Sequence, residues 1–301
     1  MNKFGGEWTI DKMEIVVSYT KAYLTIMNKQ NWVKTLYFDG FAGSGHIRLD
    51  ETNNEESCDS KPFDLYCFAD KEKTQEAIKG AALRVLEISD PKPFDVYYFV
   101  EKDKNNKASL EKTIKEVYPN SDRNTFVIEG DCNTKLKDMA IFLKKKSAYR
   151  ALAFIDPYGM SVNWDSIESL KGTGVDLWIL VPTGIGIGRM LTKNGIIEDS
   201  WLSRLELFLG MDRKDITAHF YTNRTHQTLF ETVDYIEKEK GAIEKAGELY
   251  RKKLNTVFKH VSDSFVMKNG NNVIMYHFMM ATNNKAGLTI ANDIIKPKYK
   301  L

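Results

Sequence analysis

The segment Asp39-Gly40-Phe41-Ala42-Gly43-Ser44-Gly45 follows directly on the apolar run Thr35-Leu36-Tyr37-Phe38. A strand that ends in a carboxylate and breaks into closely spaced glycines brings backbone near a polar ligand at the carboxyl edge of a sheet, with loop amides expected to face it. The spacing is not G-x-G-x-x-G, and no Gly-Lys-Ser/Thr follows as a phosphate loop requires. Three more acids close apolar runs downstream: Glu101 in Tyr98-Phe99-Val100-Glu101-Lys102-Asp103, Asp131 in Glu129-Gly130-Asp131-Cys132-Asn133, and Asp156 in Ile155-Asp156-Pro157-Tyr158-Gly159. Glu101 is placed either to accept the two hydroxyls of a ribose or to sit at the N-terminus of a following helix. Asp131, with Cys132, is placed to meet an adenine amino group or to cap the next helix. At Asp156-Pro157-Tyr158 a carboxylate and an aromatic ring stand where a ligand at the strand ends would meet them. A plain strand-ending turn is the alternative there.

These acids need a scaffold that brings strand ends together. Apolar runs at 35–39, 96–101, 125–129, 151–156 and 176–182 alternate with helix-prone segments, the pattern of a parallel sheet with crossover helices, so the four acids converge on one edge. The N-terminus predicts a helix capped by Thr9, with Ile10, Met13, Val16, Val17, Tyr23, Leu24 and Met27 at helical spacing and packing as its task. Residues 50–61 are polar enough for a mobile loop, and 63–70 could form an edge strand or a short packed segment. Val181-Pro182-Thr183-Gly184-Ile185-Gly186-Ile187-Gly188-Arg189 predicts a glycine-rich loop lining the same cleft, with Arg189 at hand for an anionic substrate group or simply on the surface. Residues 190–259 read as a helical insertion between a core spanning 1–189 and closing elements at 260–301. In the last part, Lys268-Asn269-Gly270-Asn271 separates two apolar runs and predicts an antiparallel hairpin.

Composition narrows the classes. The chain has 301 residues with 43% hydrophobic residues, enough for a sizeable core. A formal charge of +2 provides no global field to draw it onto nucleic acid, and the basic clusters at Lys144-Lys145-Lys146, Arg251-Lys252-Lys253 and 296–300 read as solvated surface. Cys58, Cys67 and Cys132 form neither an even disulfide set nor a C-x-x-C spacing, and no apolar stretch nears the roughly 18 residues of a membrane span, so a reduced, cytoplasmic protein is expected. The five histidines are scattered and define no metal triad.

The glycine loop resembles motif I of class I S-adenosylmethionine-dependent methyltransferases, and Asp156-Pro157-Tyr158 resembles the Asp-Pro-Pro-Tyr motif of amino-group methyltransferases with one proline absent. Nearly end to end, the chain resembles the three-Cys-motif partner (TcmP) family. Phe4-Gly5-Gly6-Glu7-Trp8-Thr9 with Lys12, the four acidic blocks, Asp176-Leu177-Trp178 and Arg189-Met190-Leu191 carry that likeness. It departs at Gly188, where an asparagine is expected, and in an apparent insertion over 51–79. The resemblance implies a Rossmann-like α/β class I methyltransferase fold binding S-adenosylmethionine. Asp39, Gly40, Phe41, Gly43, Gly45, Glu101, Asp131 and Cys132 would line the cofactor, Asp156, Pro157 and Tyr158 would serve catalysis, and Arg189 would contact substrate. The first functional expectation, N-methylation of a nucleic acid or modified base, rests on the likeness to the Asp-Pro-Pro-Tyr motif, in which the acid and the following carbonyl accept from the target amine and the ring stacks on the target base. The family supplies no substrate, but it implies a separate three-cysteine, radical-S-adenosylmethionine-like protein as partner. A non-catalytic cofactor-binding partner of that protein and a metal-dependent nuclease are the competing expectations.

Overall fold

The computed structural model describes residues 7–47, 78–119, 124–227 and 231–299. The chain opens with helix α1 (Glu7–Met27) and strand β1 (Lys34–Asp39), followed by a two-residue antiparallel pair, β2 (His46–Ile47) with β3 (Ile78–Lys79). Then α2 (Ala81–Leu86), β4 (Val96–Glu101), α3 (Lys104–Val117), β5 (Asn124–Glu129), α4 (Cys132–Lys145), β6 (Tyr149–Ile155), α5 (Trp164–Glu168) and β7 (Val175–Val181) alternate. The five core strands fall within two residues of where the apolar runs place them.

These five strands are parallel, in the order β5-β4-β1-β6-β7. From β1 the chain moves outward through β4 to β5, then returns to β6 on the other side of β1. Connections therefore diverge at the carboxyl end of β1, where open α/β sheets bind ligands. The sheet closes with β10 (His260–Val261), β11 (Phe265–Lys268) and β12 (Ile274–Thr282), where β12 runs antiparallel beside β7 and carries β10 and β11 on its outer side. The Asn-Gly turn joins β11 to β12 as its sequence predicts. A parallel sheet finished by an inserted antiparallel strand is the class I methyltransferase arrangement, a Rossmann-like mixed α/β fold.

The central strands are apolar without interruption because both faces are covered. Side chains alternate between two layers: Tyr37, Phe99, Phe154 and Trp178 face the layer of α1 and α9 (Lys285–Ile295), whereas Phe38, Val100, Ile155 and Ile179 face that of α4 and α8 (Ala242–Val257). Helix α1 begins at Glu7, so Thr9 lies within its first turn rather than at its cap.

Residues 190–259 depart from an all-helical reading. Helices α6 (Asp199–Leu209) and α7 (Arg213–Phe220) lead into an antiparallel hairpin, β8 (Tyr221–Gln227) and β9 (Thr232–Lys238), before α8. Ile236, within the segment expected to be helical, is on β9, because β-branched and aromatic residues at Thr232, Val233, Tyr235 and Ile236 favour a strand. The helices join the core: Phe208 stacks on Tyr250 at 5.1 Å and Trp164 meets the same ring edge-on at 5.7 Å. Two readings, the loop over 50–61 and the segment 63–70, lie outside the described residues, as do Cys58 and Cys67. Of the apparent insertion, Ile78 and Lys79 are described and form β3.

One buried polar cluster fixes α1 to the sheet at the opposite end from the glycine loop. Asp176 of β7 accepts from the Tyr19 hydroxyl of α1 at 2.8 Å and from the Thr282 hydroxyl at the end of β12. Burial pushes its carboxyl above the ordinary range, against the pull of the two hydroxyls. Asp176→Ala strands both donors in an apolar layer, with an expected loss of about 2–5 kcal/mol in denaturant titration. A loss below 1 kcal/mol would contradict this anchoring role.

Candidate functional site

The loop after β1 is stitched to both neighbouring strands. Gly40 N–H donates to the Phe154 carbonyl of β6 (3.0 Å), Ala42 N–H to the Val100 carbonyl of β4 (3.0 Å), and Gly43 N–H to Glu101 Oε2 (2.8 Å). The Phe41 amide turns back to Asp39 Oδ1 at 3.1 Å. The amides of residues 40–43 are thus held within the protein, which corrects the expectation that they face a ligand. Adjacent parallel strands have carbonyls and a carboxylate at the right height to take them. What the loop offers instead is bare backbone.

Two glycines explain why. A Cβ at Gly40 would lie 2.6 Å from Cys132 Sγ and 2.7 Å from Ile155 Cδ1, so glycine is needed for the loop to settle onto the sheet edge. Gly43 has φ of +62°, and a Cβ there would meet nothing within 4 Å. The loop surface at Gly43 faces open space. Gly45 packs against Leu83 and Leu110, and Phe41 is half-buried with its ring edge-on to Tyr158 at 6.3 Å.

Glu101 is buried and held from both sides, accepting from Gly43 N–H on Oε2 and from Asp103 N–H on Oε1, each at 2.8 Å. A carboxylate has about four acceptor positions, so this one retains capacity for two hydroxyls. The cap of α3 is Asp103, whose carboxylate accepts from the amides of Asn105 (2.9 Å) and Asn106 (2.8 Å). Asp131 caps α4 through the Thr134 amide at 3.1 Å, with its side chain exposed. Cys132 is buried under Gly40, and burial pushes its thiol well above the ordinary range.

Asp156 stands just past the end of β6, half-buried, with Pro157 buried and Tyr158 62% exposed. Its carboxylate forms an ion pair with Lys12 of α1, a lysine only 5% exposed. Asp39 is 1% exposed, and its carboxyl is pushed up to about 7, mainly by burial, with Asp156 and Glu101 adding to the rise and the Phe41 amide and Lys12 opposing it. The charges of Asp156, Glu101 and Lys12 therefore all act on Asp39, where three adjacent strands end.

Several positioning groups carry no motif. Asn133 clamps the chain beyond Tyr158 by donating to the Ser161 carbonyl (2.9 Å) and accepting from the Asn163 amide (2.7 Å) and Ser166 hydroxyl (2.9 Å). The expected glycine-rich loop is a π-helical turn (Thr183–Gly188), in which the Ile187 amide reaches back to the Pro182 carbonyl at 3.1 Å. Thr183 is hydrogen-bonded to His277 at 2.8 Å, and Lys238 of β9 donates to the carbonyls of Gly188 (3.0 Å) and Leu191 (2.7 Å). This turn presents Arg189 to solvent. Arg189 and Asp156 both act on the Tyr276 phenol, which burial and then Asp156 raise to about 12 while Arg189 opposes. Trp8 flanks Tyr276 at 5.4 Å. Lys12, Trp8 and Tyr276 thus join the motif residues from both ends of the chain. Among the described residues no three His, Cys, Asp or Glu side chains converge as a metal ion would need, and no helix is long and apolar enough to cross a membrane.

No protein-family model matches the chain, and no curated protein matches it in sequence. Among solved structures it is similar to protein LPL1258 from Legionella pneumophila, at 14% identity and a TM-score of 0.39 over 91% of this chain and 97% of that one. It is also similar to yhhF from Escherichia coli, a candidate methyltransferase, at 12% identity and a TM-score of 0.29 over 73% of this chain and 85% of that one. A conserved hypothetical protein from Streptococcus pyogenes gives 12% identity and 0.28 over 72% and 95%. Such values transfer neither site nor activity, and the fold assignment stands on the strand order itself.

The buried Asp39 has a testable signature. Its carboxyl lies near 7 in the folded protein and near 4 when unfolded, so folding favours the protonated acid. Its stabilising contribution is complete below about pH 4 and is lost as pH rises through about 7. Thermal melts should show wild type losing more stability between pH 5 and pH 8 than Asp39→Asn, which stays neutral. Equal losses would show that Asp39 is not the group responsible.

Proposed function

We propose that this chain is an S-adenosylmethionine-dependent methyltransferase acting on a nitrogen acceptor. The observation that carries the reading is the pairing of Gly43, bare and left-handed above open space, with Glu101, held by two amides at the end of the next strand. The backbone at Gly43 suits the close approach of a nucleoside, and Glu101 retains acceptor capacity for its ribose hydroxyls. Asp131 and Cys132 border the same edge, with Asp131 the candidate partner for the adenine amino group. The bare backbone at Gly43 and the remaining acceptor capacity of Glu101 support this reading of the cofactor.

When bound, the cofactor supplies a methyl group on a positively charged sulfur. The chain's part is to hold the acceptor nitrogen and to favour the charge that develops on it. Asp156 and the adjoining main-chain carbonyl accept its N–H groups, and the Tyr158 ring, braced by Phe41, stacks on a planar acceptor. Arg189, exposed at the end of the π-helical turn, is suited to an anionic group on the same substrate. Together these features favour a nucleobase within a nucleic acid as acceptor class. In this reading the chain is a member of the three-Cys-motif partner family, and a three-cysteine protein is its natural candidate partner.

Calorimetric titration with S-adenosylhomocysteine is expected to show micromolar binding that weakens at least tenfold in Glu101→Ala. Asp156→Ala should keep cofactor binding within about threefold while methyl transfer to nucleic acid falls at least a hundredfold, on the scale of a lost acid–base contact. Failure of folded wild type to bind the ligand would overturn the reading. Binding without transfer to any substrate pool, together with co-purification of a three-cysteine protein, would favour the non-catalytic alternative.

A further inference from the structure

Among the described residues, Lys12 is the one lysine or arginine that is buried. Removing an ammonium from water costs several kcal/mol unless its donors are met. An ammonium has three donors, yet among the described residues the acceptor Lys12 meets is a single carboxylate, that of Asp156. Its charge also acts on Asp39 at the end of β1, which puts it beside the strand whose loop carries Gly43. Asp39, Glu101 and Asp156 otherwise make this edge acidic.

That charge pattern meets a specific requirement of the proposed cofactor, on whose binding this inference rests. The amino-acid end of S-adenosylmethionine carries an ammonium and a carboxylate, next to a cationic sulfur. The acids suit the two cations and repel the carboxylate, which needs a cation out of bulk water. We propose that Lys12 is the docking cation for the cofactor carboxylate, and that by exchanging partners it frees Asp156 for the acceptor's N–H groups. The resting ion pair keeps the buried ammonium compensated until the ligand arrives. Acceptor binding is then coupled to cofactor binding, since Asp156 becomes available when Lys12 turns away.

The test compares S-adenosylhomocysteine with its decarboxylated analogue, which keeps the nucleoside, thioether and amine, by calorimetric titration of the full chain. Wild type should prefer the carboxylate-bearing ligand at least tenfold. Lys12→Met should reduce that preference to within twofold while binding the analogue as wild type does, which also shows that the variant is folded. Lys12→Arg keeps the charge and should retain most of the preference, and Asp156→Asn should bind S-adenosylhomocysteine as tightly as wild type or tighter. Wild type binding both ligands equally, or Lys12→Met weakening both to the same extent, would overturn the docking role and leave the lysine as a counter-ion of Asp156. The same selective loss in Arg189→Ala with none in Lys12→Met would assign the carboxylate to Arg189 and overturn it too. Wild type binding neither ligand would instead overturn the cofactor reading beneath it.

Discussion

Everything at the candidate site depends on how charge is compensated where three parallel strands end side by side. Asp39, Glu101 and Asp156 stand at the ends of β1, β4 and β6, and Lys12 enters from α1. Each carboxylate is handled differently. Asp39 is buried so completely that its carboxyl is raised to about 7. Glu101 accepts two backbone amides, and Asp156 is paired with the lysine. A hydrogen bond to a charged group stabilises by roughly 1.5–3 kcal/mol, enough to hold such groups in place only where the backbone is already in register. The fold supplies that register.

Rigidity comes from both ends of the sheet. At the ligand edge, amides of the glycine loop bond to β4 and β6, so β1 cannot shift without breaking contacts on each side. At the opposite edge Asp176 ties β7 to α1 and β12. Helix α1 is fixed further at its start, where Lys298 of the C-terminal turn pairs with Asp11 (2.6 Å) and Glu14 (2.5 Å), either side of Lys12. The position of Lys12 over Asp156 is therefore set by contacts far apart in sequence.

That separation marks the boundary of what the sequence could show. Strand positions and the convergence of the acids were legible because a buried parallel strand needs an unbroken apolar run and ends in a polar turn, as at Phe38-Asp39 and Ile155-Asp156. The cap of α3 is Asp103 rather than Glu101, a difference of two residues that local pattern does not resolve. Lys12 and Asp156 lie 144 residues apart, and Tyr276 carries no motif, so neither contact had a local signal. Thr183-Gly184-Ile185-Gly186-Ile187-Gly188 signalled a loop, whereas its π-helical form depends on His277 and Lys238 from distant strands. The hairpin β8–β9 was hidden among Glu, Lys and Arg, whose abundance suggested helix while the β-branched residues between them set the strand.

The disposition of the carboxylate oxygens also separates a cationic organic ligand from a metal ion. Four acids at one edge of a sheet suggest a divalent-ion site when only residue types are considered. A hard cation, however, requires several oxygens free to turn toward one point. Here Asp39 is bonded to the Phe41 amide, both oxygens of Glu101 face amides, Asp131 caps α4, and Asp156 is paired with Lys12. These acids are turned toward different partners, and an ammonium is already paired with one of them. A nucleoside-bearing sulfonium makes weaker and more distributed demands: bare backbone, hydroxyl acceptors on a fixed carboxylate and a diffuse negative field. The arrangement meets each of them without moving a strand, which is why the proposed methyltransferase reading is preferred over a nuclease.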